Sequence, residues 1–173
     1  AAGLSNFHGA FDNTQIVSNG GNGVRLSLDN SPSSTLALTG GTVVSDNGSN
    51  GVLADVTNGT NLTPTIGNAL VYNNALDGLL FNVASGSTVG AGSITNSSIF
   101  DNQGSGLEVN VAGTNSKSDF TITNSLITNS VGTGPQQNAL LFNVTTGGQF
   151  AANITGSNLS SNAQHAVNGS VTG

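Results

Sequence analysis

Eight acidic side chains, two histidines and two basic residues are the groups in this chain that could do acid–base or metal chemistry. A polysaccharide-cleaving site would need a close pair of carboxylates, or a calcium cluster beside a base. Asp101 and Glu108 lie on different sides of a turn, and Lys117 stands in a loop with Asp119. The acidic residues are therefore predicted to be scattered surface groups. No catalytic residue, cofactor or metal site is predicted.

The elements that position these groups come from a repeat, because four columns recur six times at a spacing near 28 residues. The first column is Phe11, Leu38, Ile66, Ile94, Ile122 and Ile154. The second is Ile16, Val43, Val71, Ile99, Ile127 and Leu159. The third is Gly23, Gly51, Gly78, Gly106, Ala139 and Ala166, and the fourth is Leu28, Val56, Val83, Val111, Val144 and Val171. Agreement of four independent columns predicts a solenoid.

Each repeat holds three short apolar runs separated by Asn and Gly, as in the stretch from Ser93 to Val111. Such runs are too short for helices and favour strands. Parallel strands need a connection that travels round and returns, which a three-strand coil provides. We predict an all-β parallel β-helix of about six coils, with neighbouring strands ~4.8 Å apart. It forms a single domain over residues 1–173, with an incomplete first coil at 1–13 and a loop insertion at 130–138.

A polar column follows the second strand of each repeat. Its members are Asn19, Asp46, Asn74, Asn102, Ser130 and Asn162. Stacked Asn side chains can hydrogen-bond along a ladder and tolerate a left-handed backbone. The column is interpreted as a turn ladder, with a row of ligand-binding amides as the alternative. Asp46, Asp77 and Asp101 are expected near one corner without sharing a column.

An outward row in the third strand contains three leucines, Leu53, Leu80 and Leu141, together with Arg25 and Glu108. Leucine in such a row is expected to be covered. The favoured interpretation is a loop that folds back, either Asn58–Pro64 or Gly86–Gly92. The alternative is a lateral apolar patch that contacts another chain.

The two ends of the solenoid carry apolar residues that are expected to contact a neighbour. These are Leu4, Phe7 and Phe11 at one end, and Val167 and Val171 at the other. Open β-helix ends expose unpaired strand edges. Joining the termini would place 13 residues between the last and first column members, against 10 or 11 inside the chain. This predicts head-to-tail stacking on identical chains, or on further coils of a longer polypeptide.

Composition limits the class of protein and its partners. Asn and Gly each occur 25 times, which is typical of strands and turns. The net charge of −6 offers no basic patch, so no nucleic-acid partner is predicted. No apolar run approaches ~18 residues, so no transmembrane helix is predicted. Cysteine is absent, and a start at Ala-Ala-Gly is interpreted as a mature or excised segment.

The phrase Ile16-x-x-Asn19-x-x-x-Gly23-Val24-x-Leu26, which returns from Ile99 to Val109, resembles a known repeat. It is similar to the repeat of right-handed parallel β-helix proteins, which include pectate-lyase-like proteins and long bacterial surface proteins. The segment from Thr35 to Val56 looks most like autotransporter passengers and other large exoproteins. The resemblance covers nearly the whole chain and implies a right-handed coil and a secreted bacterial origin.

These observations predict a structural role outside the cell or on its surface. The chain would be a subunit or segment of a filament, stalk or adhesin shaft, with itself or further coils as partner. A carbohydrate-binding or polysaccharide-cleaving β-helix is the alternative, with a glycan or surface ligand as partner. A surface-binding face of threonine columns ranks last, because Gly67 interrupts the row that contains Thr39, Thr95 and Thr123.

Overall fold

The computed structural model describes residues 5–128 and 137–173. Within them the chain forms three six-stranded parallel sheets, in which hydrogen-bonded neighbours come from consecutive coils. The prediction of a parallel β-solenoid of about six coils is confirmed. Leu4, Ser130 and most of the predicted insertion at 130–138 lie outside the described residues.

Each coil contributes one strand to each sheet. Sheet A contains β1 (His8–Asp12), β4 (Ser34–Thr39), β7 (Asn61–Gly67), β10 (Thr88–Thr95), β13 (Lys117–Thr123) and β16 (Gln149–Thr155). Sheet B contains β2 (Gln15–Val17), β5 (Val43–Ser45), β8 (Leu70–Tyr72), β11 (Ser98–Phe100), β14 (Leu126–Thr128) and β17 (Asn158–Leu159). Sheet C contains β3 (Val24–Asp29), β6 (Val52–Thr57), β9 (Leu79–Ala84), β12 (Leu107–Ala112), β15 (Leu140–Thr145) and β18 (Val167–Thr172). Coil one, formed by β1 to β3, already has all three strands.

The core is made of apolar columns that run along the axis inside the three sheets. In sheet A, Ile66, Ile94 and Ile122 are direct partners on consecutive coils and are fully buried. In sheet C, inward and outward residues alternate along each strand, as expected for a pleated strand buried on one face. Burying one such Val, Leu or Ile contributes about 1.5–3 kcal/mol, so stacking neighbouring coils supplies the stability.

One predicted column is wrong by one residue in coil two. Ile16 pairs with Val44, and Val44 pairs with Val71, so Val44 and not Val43 belongs to the core of sheet B. Val44 is fully buried, whereas Val43 is half-buried. The preceding turn holds an additional residue at Gly40 and Gly41, whose φ angles are 64° and 87°. Those angles lie in the left-handed region that glycine adopts without strain.

The corners between sheets use residues in the left-handed conformation. After sheet B the position is filled by Ser18, Asp46, Asn73, Asp101 and Ser161, with φ between 53° and 58°. Asn and Asp are enriched in this region because their short polar side chains can hydrogen-bond locally. After sheet A the same left-handed conformation is taken by Asn13, Asn68, Asn96 and Asn124, so the turns account for part of the high asparagine content.

Candidate functional site

The most regular polar feature is a chain of four amides at the end of sheet B, which we call the amide ladder: Asn19, Asn47, Asn74 and Asn102. The Nδ2 atoms of Asn19, Asn47 and Asn74 each donate to the Oδ1 of the next coil at 2.8 Å. The same Oδ1 atoms accept backbone N–H groups from the preceding coil at 3.1 to 3.2 Å. Asn47, Asn74 and Asn102 are at most 2% exposed. Because the hydrogen bonds of these buried amides join coil to coil, the ladder supports the turn and does not face a ligand.

The assignment of Asp46 to this ladder is wrong, because the one-residue shift at Val44 moves Asn47 into the position. Asp46 instead occupies the left-handed turn, where its carboxylate accepts from Ser45 Oγ at 2.7 Å and from Asn73 Nδ2 at 3.4 Å. Asp46 and Asp101 share this turn column with Asn73 between them, contrary to the prediction. Asn162 takes the equivalent position to the amide ladder in coil six and is half-buried.

A second set of side chains joins the coils at the corner between sheets A and B, the hydroxyl column: Thr14, Thr42, Ser97, Ser125 and Ser157. Ser97 Oγ accepts the N–H of Ala69 at 3.1 Å and donates to the carbonyl of Thr95 at 2.9 Å. Ser125 Oγ accepts the N–H of Ser97, and Ser157 Oγ accepts the N–H of Ser125. In coils two, four, five and six the hydroxyl therefore accepts from the coil before it, whereas coil three has Ala69 at this position.

The outward face of sheet C carries an outer ladder: Asp55, Asn82, Asn110, Asn143 and Ser170. Consecutive side chains are joined by hydrogen bonds of 2.8 to 3.1 Å. Their strand register places these residues in one outward column. Arg25 lies near the start of this ladder, with its Nη2 atom 4.0 Å from Asp55 Oδ2.

The corner column before sheet C begins with Asn22, Asn50, Asp77 and Ser105. Asn22 Oδ1 accepts from both the N–H and the Nδ2 of Asn50, each at 3.1 Å. Asn50 Oδ1 accepts the N–H of Asp77 at 3.0 Å, and Asp77 Oδ1 accepts the N–H of Ser105 at 2.6 Å. Asp77 therefore stands where the two preceding coils have asparagine.

Asp77 and Glu108 form a buried carboxyl pair, each only 8% exposed. Burial, reinforced by the charge of Glu108, raises the pKa of Asp77 from 3.8 to about 7, although backbone N–H groups act in the opposite direction. Glu108 accepts a hydrogen bond from Asn110 Nδ2 at 2.9 Å. A carboxyl that holds its proton near neutral pH, beside a second carboxyl, has the chemistry of a general acid or base. Sequence reasoning missed the pair because its members belong to different coils.

The outward leucine row of sheet C is partly covered, but not by the predicted loops. Leu53 and Leu80 are half-buried, whereas Leu141 is 6% exposed. The predicted covering segments, 58–64 and 86–92, fall largely in β7 and β10 of sheet A. That prediction is wrong, because these segments pair with their neighbours in sheet A and contribute to the coil itself.

The more exposed apolar surface lies on the outside of sheet B, which the sequence did not single out. Val17, Leu70 and Leu126 are 38%, 40% and 37% exposed. Beside them the rings of Tyr72 and Phe100 stack with centroids 4.9 Å apart and planes 7° apart. Each ring covers one face of the other, which leaves less ring face for stacking against a sugar.

The last coil leaves the core columns open. Ile154, Val167 and Val171 are 37%, 48% and 73% exposed. Their counterparts one coil earlier are buried, with Ile122 at 0% and Val144 at 4%. At the other end, the side chains of coil one that pack on the core are half-buried: Phe7, Phe11 and Ile16. The solenoid thus presents an apolar cross-section at coil six.

The two histidines are separate from the carboxyl pair. His8 Nδ1 lies 3.0 Å from Thr35 Oγ1, and His165 Nδ1 lies 3.3 Å from Asn138 Oδ1. In residues 5–128 and 137–173, no group of three or more His, Cys, Asp or Glu side chains is placed to hold a metal ion. The same residues contain no helix with the length and hydrophobicity needed to cross a membrane.

Comparison with known proteins identified no relative of this chain. No protein-family model, curated protein or solved structure matches the chain. Of the resemblance to pectate-lyase-like proteins and autotransporter passengers, the structure supports the parallel solenoid of about six coils.

Proposed function

We propose that this chain is a structural element, a solenoid segment of an extracellular or cell-surface filament, stalk or adhesin shaft. The observation that carries the proposal is the open end of coil six, where Val171 is 73% exposed on a column that is otherwise buried. A core that reaches the end of the stack uncovered is suited to continuation by another coil. The extracellular location rests on the resemblance to bacterial surface proteins.

The dimensions of the solenoid support a role within a longer object. Six coils at ~4.8 Å give a stack about 29 Å long. The seven residues of β7, at ~3.3 Å each, already span about 23 Å across the axis. The segment is about as wide as it is long, so it acts as a shaft only when further coils extend it.

The polar columns also favour a structural role. The amide ladder, the hydroxyl column and the outer ladder each join neighbouring coils by hydrogen bonds that run along the axis. Side chains used in this way hold the turns in register and resist slippage between coils. The hydrogen-bonding groups of these side chains are paired with one another within the protein, as expected for a scaffold.

Electron microscopy of the native assembly, combined with the mass of its subunit under denaturing conditions, tests the proposal. Fibres or long rods with coils repeating every ~4.8 Å along the axis are the expected result. A small subunit mass would indicate polymerisation, and a large one a long polypeptide. Short discrete particles in every preparation would contradict the shaft proposal.

A carbohydrate-cleaving function is the second candidate, and the carboxyl pair of Asp77 and Glu108 is the observation that favours it. Glycoside hydrolysis uses two carboxyl groups, one of which keeps its proton near neutral pH. Both side chains are only 8% exposed, however, so a substrate would reach little of either. Release of reducing sugars from a polysaccharide panel by the native chain, lost in Asp77→Asn, would support this candidate. Equal background release by both proteins would dismiss it.

A further inference from the structure

We propose that the partner of the open face of coil six is coil one of a second copy of this chain, docked in the same orientation so that all three sheets continue. The proposal rests on the structural role above and names the partner. It places β16, β17 and β18 of one copy against β1, β2 and β3 of the next, in the register that joins consecutive coils within the chain.

The backbone groups at the two faces are complementary. Within the chain, Val24 N–H donates to the carbonyl of Gly51, and Leu140 N–H donates to that of Ala166. Because N–H groups alternate in direction along a parallel strand, Val167, Gly169 and Val171 direct theirs away from coil five. The carbonyls that would receive them are those of coil one that face away from coil two. The same rule that joins coils inside the molecule therefore applies between copies.

Side-chain columns carry the same direction across the contact. Where a coil carries a hydroxyl in this column, the hydroxyl accepts the N–H of the preceding coil, as Ser157 Oγ does for Ser125. The next hydroxyl in that direction after Ser157 is supplied by Thr14 of a second copy. In the amide ladder, an Oδ1 atom accepts from the preceding coil. Across the contact, Asn19 Oδ1 of the second copy would be the acceptor, and Asn162 of the first copy would lie in the preceding coil. These columns fix the rotation of one copy on the other.

Apolar fit and charge both permit the contact. The exposed Ile154 and Val171 would meet Phe11 and Leu28, the first members of their own columns. Coil six, residues 149–173, contains no Asp, Glu, Lys or Arg. The charged residues of coil one therefore meet only neutral side chains. Thr155 would stand beside Asp12 much as Thr39 does within the chain, where its Oγ1 donates to Asp12 Oδ1 at 2.8 Å.

Substitution of one edge residue tests the contact without disturbing the fold. Val171→Pro removes an N–H that points away from coil five, and proline is tolerated on edge strands. Val171→Thr is the matched control, because it keeps the N–H and the β-branched shape. Ile154→Asp, with Ile154→Val as its control, is a second and independent change on sheet A. Circular dichroism verifies that each variant retains its β-structure.

The assay is sedimentation and electron microscopy of the 173-residue chain over a range of concentrations. The wild type and both controls are expected to form polar filaments with an axial repeat of about 29 Å, six coils at ~4.8 Å. Val171→Pro and Ile154→Asp should raise the critical concentration roughly tenfold or more, since each leaves a buried group without a partner.

Three results would overturn the inference: a wild type that stays monomeric, folded edge variants that polymerise like the wild type, or filaments with another axial repeat. If the wild type is monomeric, the shaft proposal still holds provided that the neighbouring coils belong to a longer polypeptide. The subunit mass of the native assembly distinguishes these cases. The two proposals therefore fail separately.

Discussion

Replacing Asp77 with asparagine should change how the stability of the protein depends on pH. The pKa of Asp77 is about 7 in the folded protein, against 3.8 for an ordinary exposed aspartate. As the pH rises from about 4 to about 7, the unfolded chain loses this proton while the folded chain retains it. The free energy of unfolding of the wild type therefore falls across this window and levels off above it. The stability contributed by the bound proton is complete only below the unfolded pKa.

The size of the effect follows from the shift. About 3 pKa units at ~1.4 kcal/mol each correspond to about 4 kcal/mol at pH 8. Asparagine carries no charge at any of these pH values. Its Nδ2 is expected to donate to Asn50 Oδ1, as Asn50 Nδ2 donates to Asn22 Oδ1, while its own Oδ1 still accepts the N–H of Ser105. We expect Asp77→Asn to match the wild type near pH 4 and to exceed it by up to about 4 kcal/mol at pH 8.

Urea unfolding followed by circular dichroism at several pH values between 4 and 8 measures this difference directly. Asp119→Asn is the matched control, because Asp119 is exposed on the outer face of sheet A, and it should follow the wild type. A difference between Asp77→Asn and the wild type that stays constant with pH would refute the reasoning. So would a wild type that is the more stable protein at pH 8.

Three further substitutions follow from contacts described above. Glu108→Gln removes a charge that raises the pKa of Asp77, so in the same urea series the loss of stability with rising pH should be smaller and should level off at a lower pH. Asn74→Ala removes the Oδ1 that accepts both the backbone N–H and the Nδ2 of buried Asn47, which should lower the free energy of unfolding by about 3 kcal/mol or more. The exposed control Gln103→Ala should lower it by less than about 0.5 kcal/mol. Gly51→Ala would place a Cβ 2.6 Å from the carbonyl oxygen of Gly78 and should cost about 1–3 kcal/mol, measured as a lowered urea midpoint.

The fold was predictable because single apolar residues flanked by polar ones mark each column. Ile94, Ile122 and Ile154 stand alone in this way, and the structure pairs them directly. The pattern failed at Val43 and Val44, where two adjacent valines fit equally well and a glycine turn adds one residue. Because of that one-residue error, the prediction assigned Asp46 to the amide ladder in place of Asn47.

The carboxyl pair could not be found in the same way. Periodicity assigns Asp77 to a corner and Glu108 to an outward row, and side chains at both kinds of position are normally exposed to solvent. Their burial depends on how neighbouring coils and side chains cover them, which is a property of packing between residues far apart in sequence. A register drawn coil by coil would have placed Asp77 beside Ser105, three residues before Glu108. That register is the signal that would have suggested the pair.

The columns of equivalent residues have a genetic consequence. Each coil presents to the next the same kinds of donors, acceptors and apolar groups that it receives from the one before. Duplicating or deleting about 28 codons in frame therefore adds or removes one layer and creates no new type of contact. Each event changes the length by ~4.8 Å. Recombination within such a gene can therefore change the length of the solenoid in small and nearly equal steps.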